Sequence, residues 1–184
     1  MKRLFLLTAT GLLLAGAQPA LAGGWGLGGF GGITIPVEQN DATNGTVFGV
    51  KGRWSPFWSL TIEPQVFLLK NGDYKVTFGD NDELTETFTG WKATSLGANL
   101  VLGAPVKKFT GVRPFVFGGV RVNMMDFEGR DKESKFGFGA GLGLEIGLGA
   151  IGLEIRGAGE VVPNHKSSKK NATITGGLNL YLGT

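Results

Sequence analysis

The sequence predicts an all-β chain, an eight-stranded antiparallel up-and-down transmembrane β-barrel. Three observations predict it. Apolar residues recur with period two through most of the chain beyond residue 22, which is the signature of strands. The connections between these runs alternate between tight and long. Glycine supplies 33 of 184 residues and charged residues only 18%, against the roughly 25% charge of soluble domains.

The first 22 residues, MKRLFLLTATGLLLAGAQPALA, stand apart. Lys2 and Arg3 give a positive start, an apolar core follows, and Ala20-Leu21-Ala22 is a small-x-small cleavage site. That three-part layout is a secretory signal peptide. A membrane helix needs about 20 apolar residues, and Gln18-Pro19 interrupts this run too early. Residues 1–22 are therefore expected to be cleaved, leaving 23–184 as one domain of nearly balanced charge.

The expected strands are 25–37, 46–55, 58–70, 86–102, 112–125, 134–148, 151–162 and 171–182. Most reach the 9–11 residues of a tilted membrane strand. The sixth runs Phe136, Phe138, Ala140, Leu142, Leu144, Ile146 and Leu148 on one side, against glycines and Glu145 on the other. Gly139, Gly143 and Gly147 also satisfy the GxxxG pattern of membrane helices. Each glycine, however, costs a helix about 1 kcal/mol relative to alanine, and Glu145 would sit in mid-membrane. The seventh strand sets Ile151, Leu153, Ile155 and Val161 against Glu154, Arg156 and Glu160. The eighth sets Ile174, Leu178, Leu180 and Leu182 against Asn171, Thr173, Thr175 and Asn179.

Three connections are tight: Ser55-Pro56-Phe57, the 103–111 turn and Gly149-Ala150. Four are longer and polar: 38–45, 71–85, 126–133 and 163–170. Short turns at one end and long loops at the other are the layout of membrane barrels, with both chain ends on the short-turn side. A two-residue turn at Gly149-Ala150 puts Leu148 opposite Ile151 and Glu145 opposite Glu154. A turn at Ser55–Phe57 puts Trp54 opposite Trp58.

Alternation alone leaves open which face points inward. A secreted lipocalin-like barrel would turn its apolar face inward and carry many charges outside. Here the polar face is mostly glycine, threonine and asparagine with charges of both signs, which suits a narrow interior. Phe48, Trp54, Trp58, Phe88 and Phe136 lie near strand ends, as interface girdles do. Apolar side chains are therefore expected to face lipid. The interior then holds Lys51, Arg53, Glu63, Arg113, Arg121, Glu145, Glu154, Arg156 and Glu160. An eight-stranded barrel is just wide enough for side chains to fill, and a buried ion without a partner is strongly destabilising. A salt-bridge ladder follows, with Glu145 and Glu154 bridged by Arg121 or Arg156 and Glu63 reached by Lys51.

The sequence resembles the small eight-stranded outer-membrane barrels of Gram-negative bacteria, the OmpA-transmembrane-domain and OmpX-like group. The resemblance rests on the leader, the strand count, the phrase Val112-Arg113-Pro114-Phe115-Val116-Phe117-Gly118-Gly119-Val120 and the chain end. Members of the group end in a signal of polar-x-Gly-x-x-apolar-x-aromatic, read by the outer-membrane insertion machinery. Thr175, Gly177, Leu180 and Leu182 match its spacing, with Leu182 where an aromatic is usual. The resemblance implies residence in the outer membrane, among its lipid and lipopolysaccharide, and a structural or cell-surface role with specificity in four extracellular loops. A narrow channel or carrier for small hydrophobic molecules or ions is one alternative, and a lipid A-modifying envelope enzyme is another.

Other chemistry is thinly supported. With no cysteine there is no disulfide, thiolate site or cysteine nucleophile. Eighteen basic against 15 acidic residues give no basic excess for nucleic acid. Gly147-Leu148-Gly149-Ala150-Ile151-Gly152 fits GxGxxG, yet a dinucleotide site needs a helix after the glycines and a strand pattern follows. His165, the one histidine, precedes Ser167 in a way similar to lipid A deacylases, but no acidic residue follows to complete a triad. Glu145 and Glu154 read as ion-pair partners rather than an acid–base pair, and no metal cluster or cofactor is expected. The 71–85 loop carries Asp73, Asp80, Asp82 and Glu83, an acidic tip open to calcium or a protein partner.

Overall fold

The structure is a computed structural model, and it describes residues 24–37, 43–57, 59–70, 72, 74–78, 84–88, 92–126, 133–163 and 168–182. The expected signal peptide, the acidic loop residues Asp73, Asp80, Asp82 and Glu83, and His165 with Ser167 lie outside the described residues.

Ten strands follow one another: β1 (Trp25–Val37), β2 (Gly45–Phe57), β3 (Leu60–Lys70), β4 (Tyr74–Phe78), β5 (Leu84–Phe88), β6 (Lys92–Leu102), β7 (Phe109–Asp126), β8 (Glu133–Gly149), β9 (Ile151–Val162) and β10 (Lys169–Leu182). Eight close into a barrel in the order β1-β10-β9-β8-β7-β6-β3-β2, and β4 and β5 form a separate two-stranded sheet. Every neighbouring pair is antiparallel, and β1 meets β10 to close the cylinder. Closure removes the free edges that an open sheet would expose.

One expectation is corrected here. The fourth barrel strand begins at Lys92, not at residue 86. Leu84–Phe88 pairs back onto Tyr74–Phe78, with Phe88 in register with Tyr74. The 71–85 segment, read as a solvated loop, thus contains half of a hairpin. Phe88 belongs to that hairpin and not to a barrel strand.

The two faces separate as period two demands. Leu144, Ile155 and Leu178 are 46%, 56% and 57% exposed, whereas Glu63, Arg53 and Glu145 are at most 1% exposed. The apolar face therefore points outward and the ionic face inward. Glycine makes the interior possible. The inner wall of β8 is Gly137, Gly139, Gly141, Gly143 and Gly147 around the single side chain of Glu145. A Cβ at Gly139 would strike the Arg121 guanidinium, and one at Gly143 the Phe115 ring. The bare wall leaves room for large side chains reaching over from β7.

Turn chemistry sets the registers. Gly149 has a φ of 76° in a two-residue turn, the left-handed conformation such hairpins use. It places Leu148 opposite Ile151 and Glu145 opposite Glu154. The turn after β2 differs from its expected position. Trp54 pairs with Ile62, not with Trp58, and the register shifts between Trp54 and Phe57. Trp58 itself lies outside the described residues. Prolines mark lapses in the ladders: β2–β3 pairing skips Pro64, and the β6–β7 ladder ends at Val116, before Pro114. A residue without an N–H is tolerated where pairing has lapsed.

Candidate functional site

The lumen concentrates the chain's charged chemistry. Period two carries nine charged side chains inward, and the hairpin registers set their heights.

Nearest the short turns, Arg53 on β2 donates from Nη1 to Tyr181 Oη at 2.7 Å and to Glu145 Oε1 at 3.1 Å. Arg113 holds the other oxygen of Glu145, from Nη2 at 2.9 Å and Nε at 3.2 Å, and also donates to Tyr181 Oη at 3.1 Å. Its guanidinium lies 3.7 Å from the Phe109 ring centroid, a cation–π stack. The 103–108 turn folds under this cluster. The Ala104 carbonyl accepts from Arg53 Nη2 at 3.3 Å and Thr61 Oγ1 at 2.9 Å, and Val106 N–H donates to Ser55 Oγ at 2.7 Å. Ala104 is fully buried and Val106 nearly so.

At mid-height Arg156 grips both oxygens of Glu63, at 2.5 and 2.6 Å, the paired geometry in which guanidinium and carboxylate bind best. It also donates to Glu154 Oε2 at 2.9 Å, while Lys51 Nζ meets Glu154 Oε1 at 2.6 Å and lies 3.7 Å from Glu63. Arg53 Nε stands 3.3 Å from Glu63. Asn179 ties the two levels together, donating to Glu145 at 2.9 Å and Glu154 at 3.1 Å.

Toward the long loops Arg121 pairs with Glu160 at 3.2 Å, and Asn123 donates to the other Glu160 oxygen at 3.2 Å while accepting from Ser95. Above them lies an apolar layer that includes Phe67, Leu69, Met125 and Val162. Between the Arg121 and Arg156 levels a cavity of about 40 Å³ remains, lined in part by Phe30, Phe117 and Thr175.

The structure thus brings all nine sequence-named charges into one lumen, with partners that differ in part from those expected. Glu145 is held by Arg53 and Arg113, not by Arg121 or Arg156. Arg113 faces Glu145 directly across β7 and β8, whereas Arg121 faces Gly137, some eight residues and about 26 Å farther along the strand. Arg121 therefore finds Glu160. Lys51 does approach Glu63, but its short contact is with Glu154.

Sequence reasoning missed Tyr181, Asn179 as a bridge, and the 103–108 turn. Tyr181 follows Asn179 by two residues and shares its inward face, a signal that the alternation contained. The apolar Ala104-Pro105-Val106 hinted at burial inside a nominal turn. Of the aromatic residues, Phe48 and Phe136 are outward and exposed, and Trp54 stacks on Trp25 at 5.8 Å. At the chain end Thr175 and Gly177 face inward and Leu180 and Leu182 outward. Among the described residues no group of histidine, cysteine or carboxylate side chains has metal-binding geometry.

Comparison with known proteins follows the same lines. The profile of the family described as outer membrane protein beta-barrel domain matches residues 5–180. No curated protein sequence matches the chain. Among solved structures, neisserial surface protein A (NspA) superposes with a TM-score of 0.64 at 12% identity, covering 85% of this chain and 96% of that one. The N-terminal β-barrel domain of Pseudomonas aeruginosa OprF superposes with a TM-score of 0.52 at 9% identity, covering 85% and 97%. At these identities the likeness is one of fold.

Proposed function

Because this chain belongs to the outer membrane protein β-barrel domain family, we propose that it is a Gram-negative outer-membrane scaffold closed to solutes, whose specificity lies in its long extracellular loops. The observation that carries the closed lumen is the pair of ion-paired ties at two heights, Arg156–Glu63 and Arg53–Glu145, built from side chains almost wholly removed from solvent. An ion entering the cylinder would have to break both. Each breakage would leave a buried charge without its partner, at about 3–5 kcal/mol. The scaffold role assigns recognition to the loops, as rigid frames generally do, and between β3 and β6 Tyr74–Phe78 and Leu84–Phe88 pair as a separate hairpin.

Two further parts complete this reading. Residues 1–22 direct export and are removed, and Thr175, Gly177, Leu180 and Leu182 present the final strand to the insertion machinery. Catalysis by His165 and Ser167 is not part of the proposal. The decisive measurement is single-channel recording of the purified barrel in a planar bilayer, alongside gel mobility with and without boiling. A heat-modifiable protein that gives no unit conductance supports the closed scaffold. Discrete, reproducible conductance steps would replace it with the channel reading.

A further inference from the structure

The charges of the lumen do not cancel. Lys51, Arg53, Arg113, Arg121 and Arg156 bring five positive charges to it, and Glu63, Glu145, Glu154 and Glu160 bring four negative ones. Higher on the inner face of β8, Lys135 and Glu133 pair with each other at 2.7 Å and leave the difference unchanged. A buried charge without a counter-charge is strongly destabilising, so one cation remains to be neutralised.

The surplus can be located. Arg121 and Glu160 balance one another toward the long loops. Lys51, Arg53, Arg113 and Arg156, four cations, share only Glu63, Glu145 and Glu154. Of these four, Arg156 also lines the cavity of about 40 Å³ that separates its level from that of Arg121.

The cavity wall favours a negative guest. Arg121 makes one ion pair, from Nη1, and its buried Nε meets no acceptor. Gln65 and Thr175, both nearly buried, stand on the same wall and carry hydrogens to donate. The carboxylate there, Glu160, is already engaged at both oxygens, by Arg121 and by Asn123. Asn99 adds a carbonyl oxygen with no partner, which calls for a water hydrogen. A single water needs about 10–15 Å³ of such space, so the cavity takes an ion together with one or two waters.

We propose that the cavity between Arg121 and Arg156 is a binding site for one small monovalent anion of the halide class, held with water. The anion cancels the unbalanced charge of the lumen, and a water beside it satisfies Asn99. A divalent oxyanion would overshoot the imbalance. The site is made from lumen side chains alone and is independent of whether the barrel conducts.

The test uses the full-length barrel refolded from urea into maltoside micelles. Sodium bromide is the probe, and sodium gluconate, whose anion is too bulky for the cavity, holds the ionic strength constant. Crystals grown in bromide should show one anomalous peak at the bromine edge, between Arg121 and Arg156. In solution, the arginine Nε–H resonances of barrel refolded at increasing bromide give the half-saturating concentration. K51Q removes a positive charge without touching the cavity wall. It should raise that concentration about fifteenfold, the Coulomb effect of one unit charge roughly 10 Å away at an effective dielectric of about 20. E160Q enlarges the surplus and should lower it. Heat modifiability confirms that each variant is folded, and should K51Q fail to fold, E160Q alone decides. A cavity without a bromine peak overturns the proposal. A half-saturating concentration that either folded variant leaves unchanged marks an adventitious ion only, and overturns it as well.

Discussion

Arg156 and Glu63 join strands on opposite sides of the barrel. In the closed order β9 and β3 are four strands apart either way round, so the bidentate pair at 2.5 and 2.6 Å spans the full lumen. Arg53 and Glu145, on β2 and β8, span another diameter nearer the short turns. Two crossing ties at different heights brace the cylinder, and Lys51–Glu154 and Arg53–Tyr181 join further strands that are not neighbours.

Removing one end of such a tie should cost far more than removing both. Glu63→Ala leaves Arg156, Lys51 and Arg53 facing a missing carboxylate, and the expected loss is about 3–5 kcal/mol. Replacing Glu63 by Leu and Arg156 by Met together exchanges the pair for apolar volume, a change that is often neutral or better. Urea unfolding of the barrel in micelles, followed by heat modifiability, gives both values. The double variant is expected to be the more stable of the two.

Tyr181→Phe tests the lower cluster. The hydroxyl accepts from Arg53 at 2.7 Å and from Arg113 at 3.1 Å, and its loss leaves the shape of the ring in place. Hydrogen bonds to charged groups contribute about 1.5–3 kcal/mol each. Because both guanidiniums keep Glu145, the expected loss is near the lower bound, about 1.5 kcal/mol, read as a lowered urea midpoint with an unchanged slope.

The bare wall of β8 makes a sharper steric prediction. A Cβ on Gly143 would meet the Phe115 ring and stand 2.7 Å from the Ile155 carbonyl oxygen, neither of which can move aside, whereas a Cβ on Gly157 meets nothing within 4 Å. Gly143→Ala should destabilise by about 1–3 kcal/mol, as overpacking does, and lower the refolded fraction. Gly157→Ala should refold like wild type. The fraction of heat-modifiable protein after refolding compares them directly.

These contrasts also mark what the linear sequence makes legible. Which residues face inward is local information, since period two at Gly143, Glu145 and Gly147 assigns the face without knowledge of any other strand. The Gly149-Ala150 turn likewise gives the register of β8 on β9. Partner choice is not local. Glu145 finds Arg53 across a diameter, a distance set by closing the cylinder and by its stagger. The β4–β5 hairpin was hidden for another reason. Its five-residue strands, separated in sequence by acidic residues at 80, 82 and 83, look like a solvated loop until they pair. The 103–108 turn was hidden because its burial depends on the open end of the barrel that it fills.

The outward face gives the last prediction. Leu178 lies within the apolar face of β10, between Gly29 and Leu153 on its two neighbours, and is 57% exposed. Leu182 lies at the short-turn end of the same strand and is 49% exposed. In water these two positions would tolerate a charge about equally, because both are open. In a bilayer they would not. An arginine near the midplane of a membrane barrel costs about 2–4 kcal/mol, and one near the interface about 0–1. Leu178→Arg should therefore fold poorly into lipid vesicles while Leu182→Arg inserts nearly as well as wild type, and the gap should shrink in detergent micelles. Equal insertion of the two variants into vesicles would mean that the apolar belt does not lie at the depth its register assigns.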